Sequence, residues 1–471
     1  MGKMESLRNF INGQFSTRAN EFLVQYCPKT LAEKFTIANS DFLDVVASVQ
    51  AANGAQKKWQ EHSPEARSLI LQKFGFLIRD NLKLFELFQI EDLGVSNLTA
   101  PKLCEIALSR LQLCLEYEKS NSYQSNASGK QYQLTSGIGV IGILTDWQCP
   151  LPIIFENLAA SLSCGNVVIL HPSEFSARTC LKLAELAIEA GVIQGAFNVL
   201  LGKGDELTKQ MFEHPGIKYL RYYGQNLLGE KLHLLAAENH KRIYTELGAN
   251  NAAIVFSNVD LEKSVGQVLK VGLRIHEFGR ARINRILVQE TIWKDFKHEL
   301  FTQIDNLDKS IGIQNIVGEL PSAELKSQFS MYLDQSKKDR AKLFYSQSEN
   351  IKSSTPQTPL TIYEDLTNCS TLHTQDLYGP ILFLQSFKYA ADLSKALNSG
   401  ALINTAYIWS NDLVRNQKLA QQLEVANICF NDIANHESVL ASDLIKQTGM
   451  GTRGVEGLFD FNLKRKIISI K

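Results

Sequence analysis

Two kinds of residue in this chain are candidates for chemistry on sight: eight cysteines and a run of closely spaced glycines. The cysteines, at positions 27, 104, 114, 149, 164, 180, 369 and 429, are scattered without the paired spacing of a metal knuckle or a disulfide framework. That usage points to a reducing, cytoplasmic setting, where a thiol is either a nucleophile or a small apolar filler. The glycines of Gly137-Ile138-Gly139-Val140-Ile141-Gly142 spell a dinucleotide fingerprint. A working fingerprint needs a strand, then the glycine turn, then a helix whose N-terminus faces the pyrophosphate. Here the glycines fall inside the apolar run that itself reads as the strand, and the polar turn Thr145-Asp146-Trp147-Gln148 comes after it. The motif is therefore read as structural.

The elements around these residues follow from periodicity. Phe42, Val45, Val46, Val49 and Ala52 recur at helical spacing behind a Ser40-Asp41 start, and Ser63-Pro64-Glu65 opens a second helix reaching Arg79. A third helix is expected over 101–117, which makes the first ~120 residues largely helical. Beyond the polar stretch 120–130, short β-branched runs alternate with amphipathic helices. The strands are expected at 139–144, 166–171, 197–201, 219–223, 242–246 and 252–256, with helices at 176–190, 205–212 and from Asn226. This alternation predicts an α/β fold built on a parallel sheet with helices on both faces. A second α/β pattern runs from Leu261 to Asp443, interrupted by the Ser/Thr/Pro-rich loop 346–359. The last segment, 460–471, alternates like an edge strand and matches 131–135 in character, which suggests an arm that pairs with another subunit.

Composition narrows the function classes. Of 471 residues, 49 are Lys or Arg and 49 are Asp or Glu, so no net field recruits nucleic acid or an acidic membrane. No apolar run approaches the roughly 20 residues of a membrane span. The N-terminus lacks the apolar core of a secretory signal, and its loose myristoylation pattern and the three Asn-x-Ser/Thr triplets carry no weight.

Several motifs then fall into a familiar order: Gly139-Val-Ile-Gly-Ile-Leu-Thr-Asp-Trp-Gln-Cys-Pro150, Gly165-Asn-Val-Val-Ile-Leu-His-Pro-Ser-Glu174, Glu246-Leu-Gly-Ala-Asn250 and Tyr378-Gly-Pro380. With Asn9-Phe-Ile-Asn-Gly-Gln-Phe15 at the start, the chain resembles the NAD(P)-dependent aldehyde dehydrogenase superfamily over nearly its whole length. The resemblance implies a Rossmann-type cofactor domain (1–121 and 138–247), an α/β catalytic domain (248–454) and a β-strand oligomerisation arm (122–137 and 455–471). It also implies NAD or NADP as cofactor and a homodimer or homotetramer. The wording at the two ends resembles the members that oxidise muconic semialdehydes.

The family's reaction uses a thiolate nucleophile, an oxyanion hole formed by an Asn side chain and the nucleophile's amide, a hydride acceptor and a Glu that activates water. At the matching positions this chain departs from the pattern. The thiol position is Arg280, and no Cys occurs between Cys180 and Cys369. Arginine stays charged and is no nucleophile. Gln148 replaces the oxyanion Asn, a class of donor whose loss costs roughly 3 kcal/mol of transition-state stabilisation.

On the cofactor side, Trp147 and Glu174 match, and His171 replaces a Lys. Tyr222-Tyr223-Gly224-Gln225 replaces the pyrophosphate turn, and Gly229 keeps the helix-packing position. Asp376 replaces a Glu on the nicotinamide ribose, just ahead of Tyr378. The C-terminal Pro-Phe-Gly-Gly segment reads Ala441-Ser442-Asp443-Leu444.

Glu246 keeps the base position, but a Glu near Arg274, Arg280, Arg282 or Arg285 is first read as an ion-pair partner, since an unpaired buried guanidinium costs several kcal/mol. Cys149, beside the old site, is read as a space filler rather than a relocated thiol. The expectation is an aldehyde dehydrogenase fold that has lost its dehydrogenase chemistry and acts by binding or subunit association, with impaired or absent NAD(P) binding. Two alternatives stay open: residual enzyme activity, either oxidation of an aldehyde or semialdehyde through Cys149 or hydrolysis using Glu246 without a thiol, and a purely structural role of the kind enzyme-derived lens proteins play.

Overall fold

The computed structural model describes residues 4–120, 131–148, 151–276, 281–347, 358–366, 370–433 and 440–469. Cys149, Arg280 and most of the 346–359 loop lie outside them.

An eight-stranded sheet forms the first half. Its parallel core is Arg242–Leu247, Tyr219–Gly224, Val140–Thr145, Val167–His171 and Phe197–Val199, in that spatial order. These strands are buried on both faces, as the near-continuous apolar runs require. Gly142 is a packing residue inside its strand: a Cβ there would lie 3.1–3.3 Å from the side chains of Leu220, Ile217 and Met211. Nothing about the glycine run cradles a phosphate.

Helices flank this sheet. Phe42–Glu61 begins at a capping box in which Asp41 accepts from the Leu43 and Asp44 amides and Asp44 reaches back to the Asp41 amide. Its Trp59 is fully buried and donates to the carbonyl of Leu162. Pro64–Asp80 starts with Ser63 as cap and Pro64 in the first turn, and Ala177–Ala190 stops at Gly191, whose φ of 110° favours glycine.

A seven-stranded sheet forms the second half, ordered Lys342–Ser346, Thr361–Glu364, Ile381–Phe387, Ile283–Gln289, Asn251–Val255, Thr405–Trp409 and Asn427–Phe430. All its pairings are parallel except the first. Asn251–Val255, which in sequence continues the first alternation, sits in this second sheet.

One expectation needs correction. The first 120 residues are less helical than their periodicity suggests, because Ser6–Leu7, Glu33–Ala38 and Phe22–Tyr26 form a three-stranded sheet. Ser6 finds its partner at Thr36, whereas Phe22–Tyr26 and Glu33–Ala38 form a local antiparallel hairpin that the helical reading passes over. Leu463–Ser469 and Gln131–Gly137, the two strands of the expected arm, pair antiparallel with one another in the same chain. Leu134 and Ile467 on that ribbon are exposed.

Candidate active site and nucleotide cleft

Glu246 lies near the C-terminal end of Arg242–Leu247, on the strand that links the central sheet to its antiparallel edge, Gly449–Met450. Its carboxylate is engaged at both oxygens. Arg453 Nε lies 3.1 Å from Oε1, and the Tyr244 hydroxyl donates to Oε2 at 2.9 Å. Tyr244 is two residues earlier on the same strand and so faces the same side. Burial works against the Arg453 charge, yet Glu246, with Tyr244 and Glu156 nearby, holds its pKa above the ordinary value.

The pair opens onto a cavity of about 420 Å³ that is also lined by Arg110, Glu156 and Tyr223. Arg110 and Glu156 form a second ion pair there. Burial pushes the Glu156 pKa up, with Arg110 opposing it. A guanidinium and a tyrosine hydroxyl held against one carboxylate are the arrangement of an ion pair.

An arginine therefore meets Glu246, and it is Arg453, which is not among the four expected near 274–285, of which Arg280 lies outside the described residues. Arg282 donates to the carbonyls of Leu377 and Gly379, and Arg285 to that of Asn250. Burial lowers both pKa values, that of Arg285 to about 10. Their hydrogen bonds thus go largely to backbone carbonyls, with the Asp376 charge also acting on Arg282. The sequence reading missed Arg453, which is distant in sequence and brought in by the Glu246↔Gly449 pairing. It also missed Tyr244, although the two-residue strand period was there to find it.

The predicted nucleotide-side residues gather in a different place. Trp147, His171, Glu174 and Gln225 line one cleft of about 1160 Å³, at the carboxyl ends of the central strands where such folds take ligands. His171 is fully engaged by protein: Nδ1 lies 3.1 Å from the Leu200 carbonyl, and Gly204 supplies a further backbone contact. Burial drops its pKa to about 4, so it carries no charge toward a ribose. Burial raises the Glu174 pKa. The Tyr222 hydroxyl arches over the turn, 2.3 Å from where a Gly224 Cβ would stand, and donates to the Gln225 carbonyl at 3.4 Å.

The remaining predicted residues serve as packing around that cleft. Gly229 leaves room for Leu247, whose methyl would lie 2.3 Å from a Cβ. Asp376 presses on Gly248, its Oδ2 only 1.8 Å from a would-be Cβ. Tyr378 meets the Trp147 ring edge-on at 5.6 Å. Gln148 is buried in the turn after Trp147, its amide donating to Asp146 Oδ1 at 2.8 Å.

Comparison with known proteins agrees with this architecture. The aldehyde dehydrogenase family model matches residues 15–468. A 2-aminomuconic semialdehyde dehydrogenase of Mus musculus is 25% identical over 488 residues, covering 100% of this chain and 99% of that one. An NAD-dependent aldehyde dehydrogenase from Sinorhizobium meliloti superposes with a TM-score of 0.91 at 22% identity, covering 100% and 95% of the two chains. The NAD+ complex of a Bacillus cereus aldehyde dehydrogenase gives 0.91 at 21% identity, covering 99% and 97%. With its two sheets, its Glu246-containing strand and a family match across nearly its full length, this chain belongs to the aldehyde dehydrogenase family.

Proposed function

We propose that this chain is a pseudoenzyme of the aldehyde dehydrogenase family. It does not oxidise aldehydes with NAD(P), and it acts by binding or by subunit association, as a homodimer or homotetramer in a reducing, cytoplasmic setting. One observation carries the reading: Arg280 stands at the nucleophile position and no cysteine lies between Cys180 and Cys369. Losing the nucleophile of a covalent mechanism costs on the order of a millionfold in rate. The clamp on Glu246 by Arg453 and Tyr244 supports the same conclusion, because the base position is occupied by an ion pair.

The cleft is large enough for a dinucleotide, and Glu174 remains at its wall. The other groups do not fit one well. His171 is neutral and bound to backbone, the Tyr222 hydroxyl crowds the turn at Gly224, and Asp376 packs on Gly248. No step of a reaction is therefore derived through NAD(P).

A second reading rests on the similarity to 2-aminomuconic semialdehyde dehydrogenase along the whole chain. Under it the protein retains weak activity, either oxidation of a muconic-type semialdehyde through Cys149 or hydrolysis using Glu246 without a thiol. One experiment separates the two. Purified protein is assayed for NADH and NADPH formation with a panel of semialdehydes and simple aldehydes, and the nucleotides are titrated by calorimetry. The expected result is no turnover above the protein-free rate and no binding at millimolar nucleotide. Turnover that disappears in Cys149→Ala or Glu246→Gln establishes the second reading instead.

A further inference from the structure

A separate cavity of about 530 Å³ opens where the start of helix Ala100–Ser120 meets helices Leu261–Gly272 and Trp293–Ser310 and the short helix Gln314–Val317. It shares no lining residue with the cavity around Glu246 or with the cleft at Trp147. Its size falls within the range of small-molecule sites.

Its chemistry is two-sided. Leu269, Leu273, Leu307 and Ile316 supply an apolar wall, while Lys102, Lys270 and Arg274 are its charged members. Among the described residues no Asp or Glu lines it, and neither Lys102 nor Lys270 makes an ion pair. A concave apolar surface rimmed by these two lysines is complementary to an organic anion.

A second feature points inward. His276 lines the cavity at 8% exposure, and its Nε2 has no hydrogen-bond partner. Burial brings the ring's pKa to about 4, with the Glu319 backbone opposing it. The neutral ring thus carries a buried nitrogen without a hydrogen-bond partner, and such a group calls for one. The same ring meets Trp147 edge-on at 6.3 Å, so the cavity wall touches the floor of the nucleotide-type cleft.

We propose that this cavity binds a hydroxyl-bearing amphipathic carboxylate, with the carboxylate at Lys102 and Lys270, the apolar body along the leucines, and the hydroxyl hydrogen-bonded to His276 Nε2. The site is independent of the pseudoenzyme reading, since it uses no residue of the family's reaction.

The test is calorimetric titration of the full chain with para-hydroxyphenylpropionate, phenylpropionate and the methyl ester of the former. The hydroxy acid is expected to bind one per chain. Removing the hydroxyl or masking the carboxylate should each weaken binding about tenfold, the factor for one well-placed polar contact. Lys102→Glu with Lys270→Glu should weaken it at least as much. Leu98→Trp, at a half-exposed rim position, should abolish it. These positions are exposed enough that the variants should melt with the wild type. No saturable binding of the hydroxy acid at millimolar concentration overturns the proposal. So does equal affinity for the three probes, or binding unchanged by the lysine reversals.

Discussion

The Glu246–Arg453 pair makes a quantitative prediction that separates an ion pair from a poised base. Glu246 is 5% exposed and Arg453 19% at the side chain, so both charges sit largely out of water. Breaking a buried pair from one side costs ~3–5 kcal/mol, because the remaining charge stays buried. In Arg453→Met the Tyr244 hydroxyl still donates to the carboxylate, which places that variant at the low end, ~3 kcal/mol. Glu246→Gln keeps an acceptor for Tyr244 and leaves an arginine that retains some solvent and has Glu156 nearby, so ~2 kcal/mol is expected. The double variant removes both charges and should cost only ~2 kcal/mol, since apolar replacement of a whole pair is often near neutral. The coupling energy is then ~3 kcal/mol, well above the ~0.5 kcal/mol scatter of independent sites. The assay is urea unfolding of the four proteins, followed by circular dichroism through the transition that reports the first sheet. Additive single-variant costs would refute the ion-pair account and return Glu246 to the role of a free carboxylate.

Acid should destabilise the protein through its buried histidines. His171 and His276 each fall from the ordinary value of 6.5 to about 4 in the folded state, so the unfolded chain binds protons more readily between those limits. Stability is full above pH ~6.5 and is lost as pH falls toward ~4, by about 2 kcal/mol per histidine at pH 5. Urea midpoints at pH 7 and pH 5 check this, and a His171→Gln/His276→Gln protein with the wild-type pH slope would contradict it. Gly248→Ala should lower the melting temperature, because the new Cβ would stand 1.8 Å from Asp376 Oδ2. Asp376→Ala in the same background should restore much of it, and a Gly248→Ala protein that melts with the wild type would show that the carboxylate simply swings away.

What was legible in the sequence, and what was not, divides along the range of the interactions. The alternation of apolar strands with amphipathic helices produced the central strands to within a residue or two. Val140–Thr145 and Val167–His171 need no information beyond their own runs. Capping at Asp41 and Ser63 and the stop at Gly191 are equally local. Ser6–Leu7 was invisible because Ser6 finds its partner at Thr36 and not beside itself, whereas the hairpin of Phe22–Tyr26 with Glu33–Ala38 is local and was passed over.

The site followed the same division. Trp147, His171, Glu174 and Gln225 converge on one cleft because parallel strands bring their carboxyl ends together, a consequence of topology that the motif order already contained. The Glu246 partner depended on an antiparallel edge strand arriving from two hundred residues away, and local charge density pointed instead to 274–285. For Arg282 and Arg285 that inference assumed that the counter-charge of a buried arginine must be a carboxylate. Arg282 and Arg285 are met by carbonyl oxygens, which carry enough partial charge to hold a guanidinium whose delocalised charge is weakly hydrated to begin with. A glutamate standing where a family keeps its base is thus no evidence of catalysis by itself. Its meaning is fixed by the groups around it, and here those include a guanidinium and a phenol that hold the carboxylate in an ion pair.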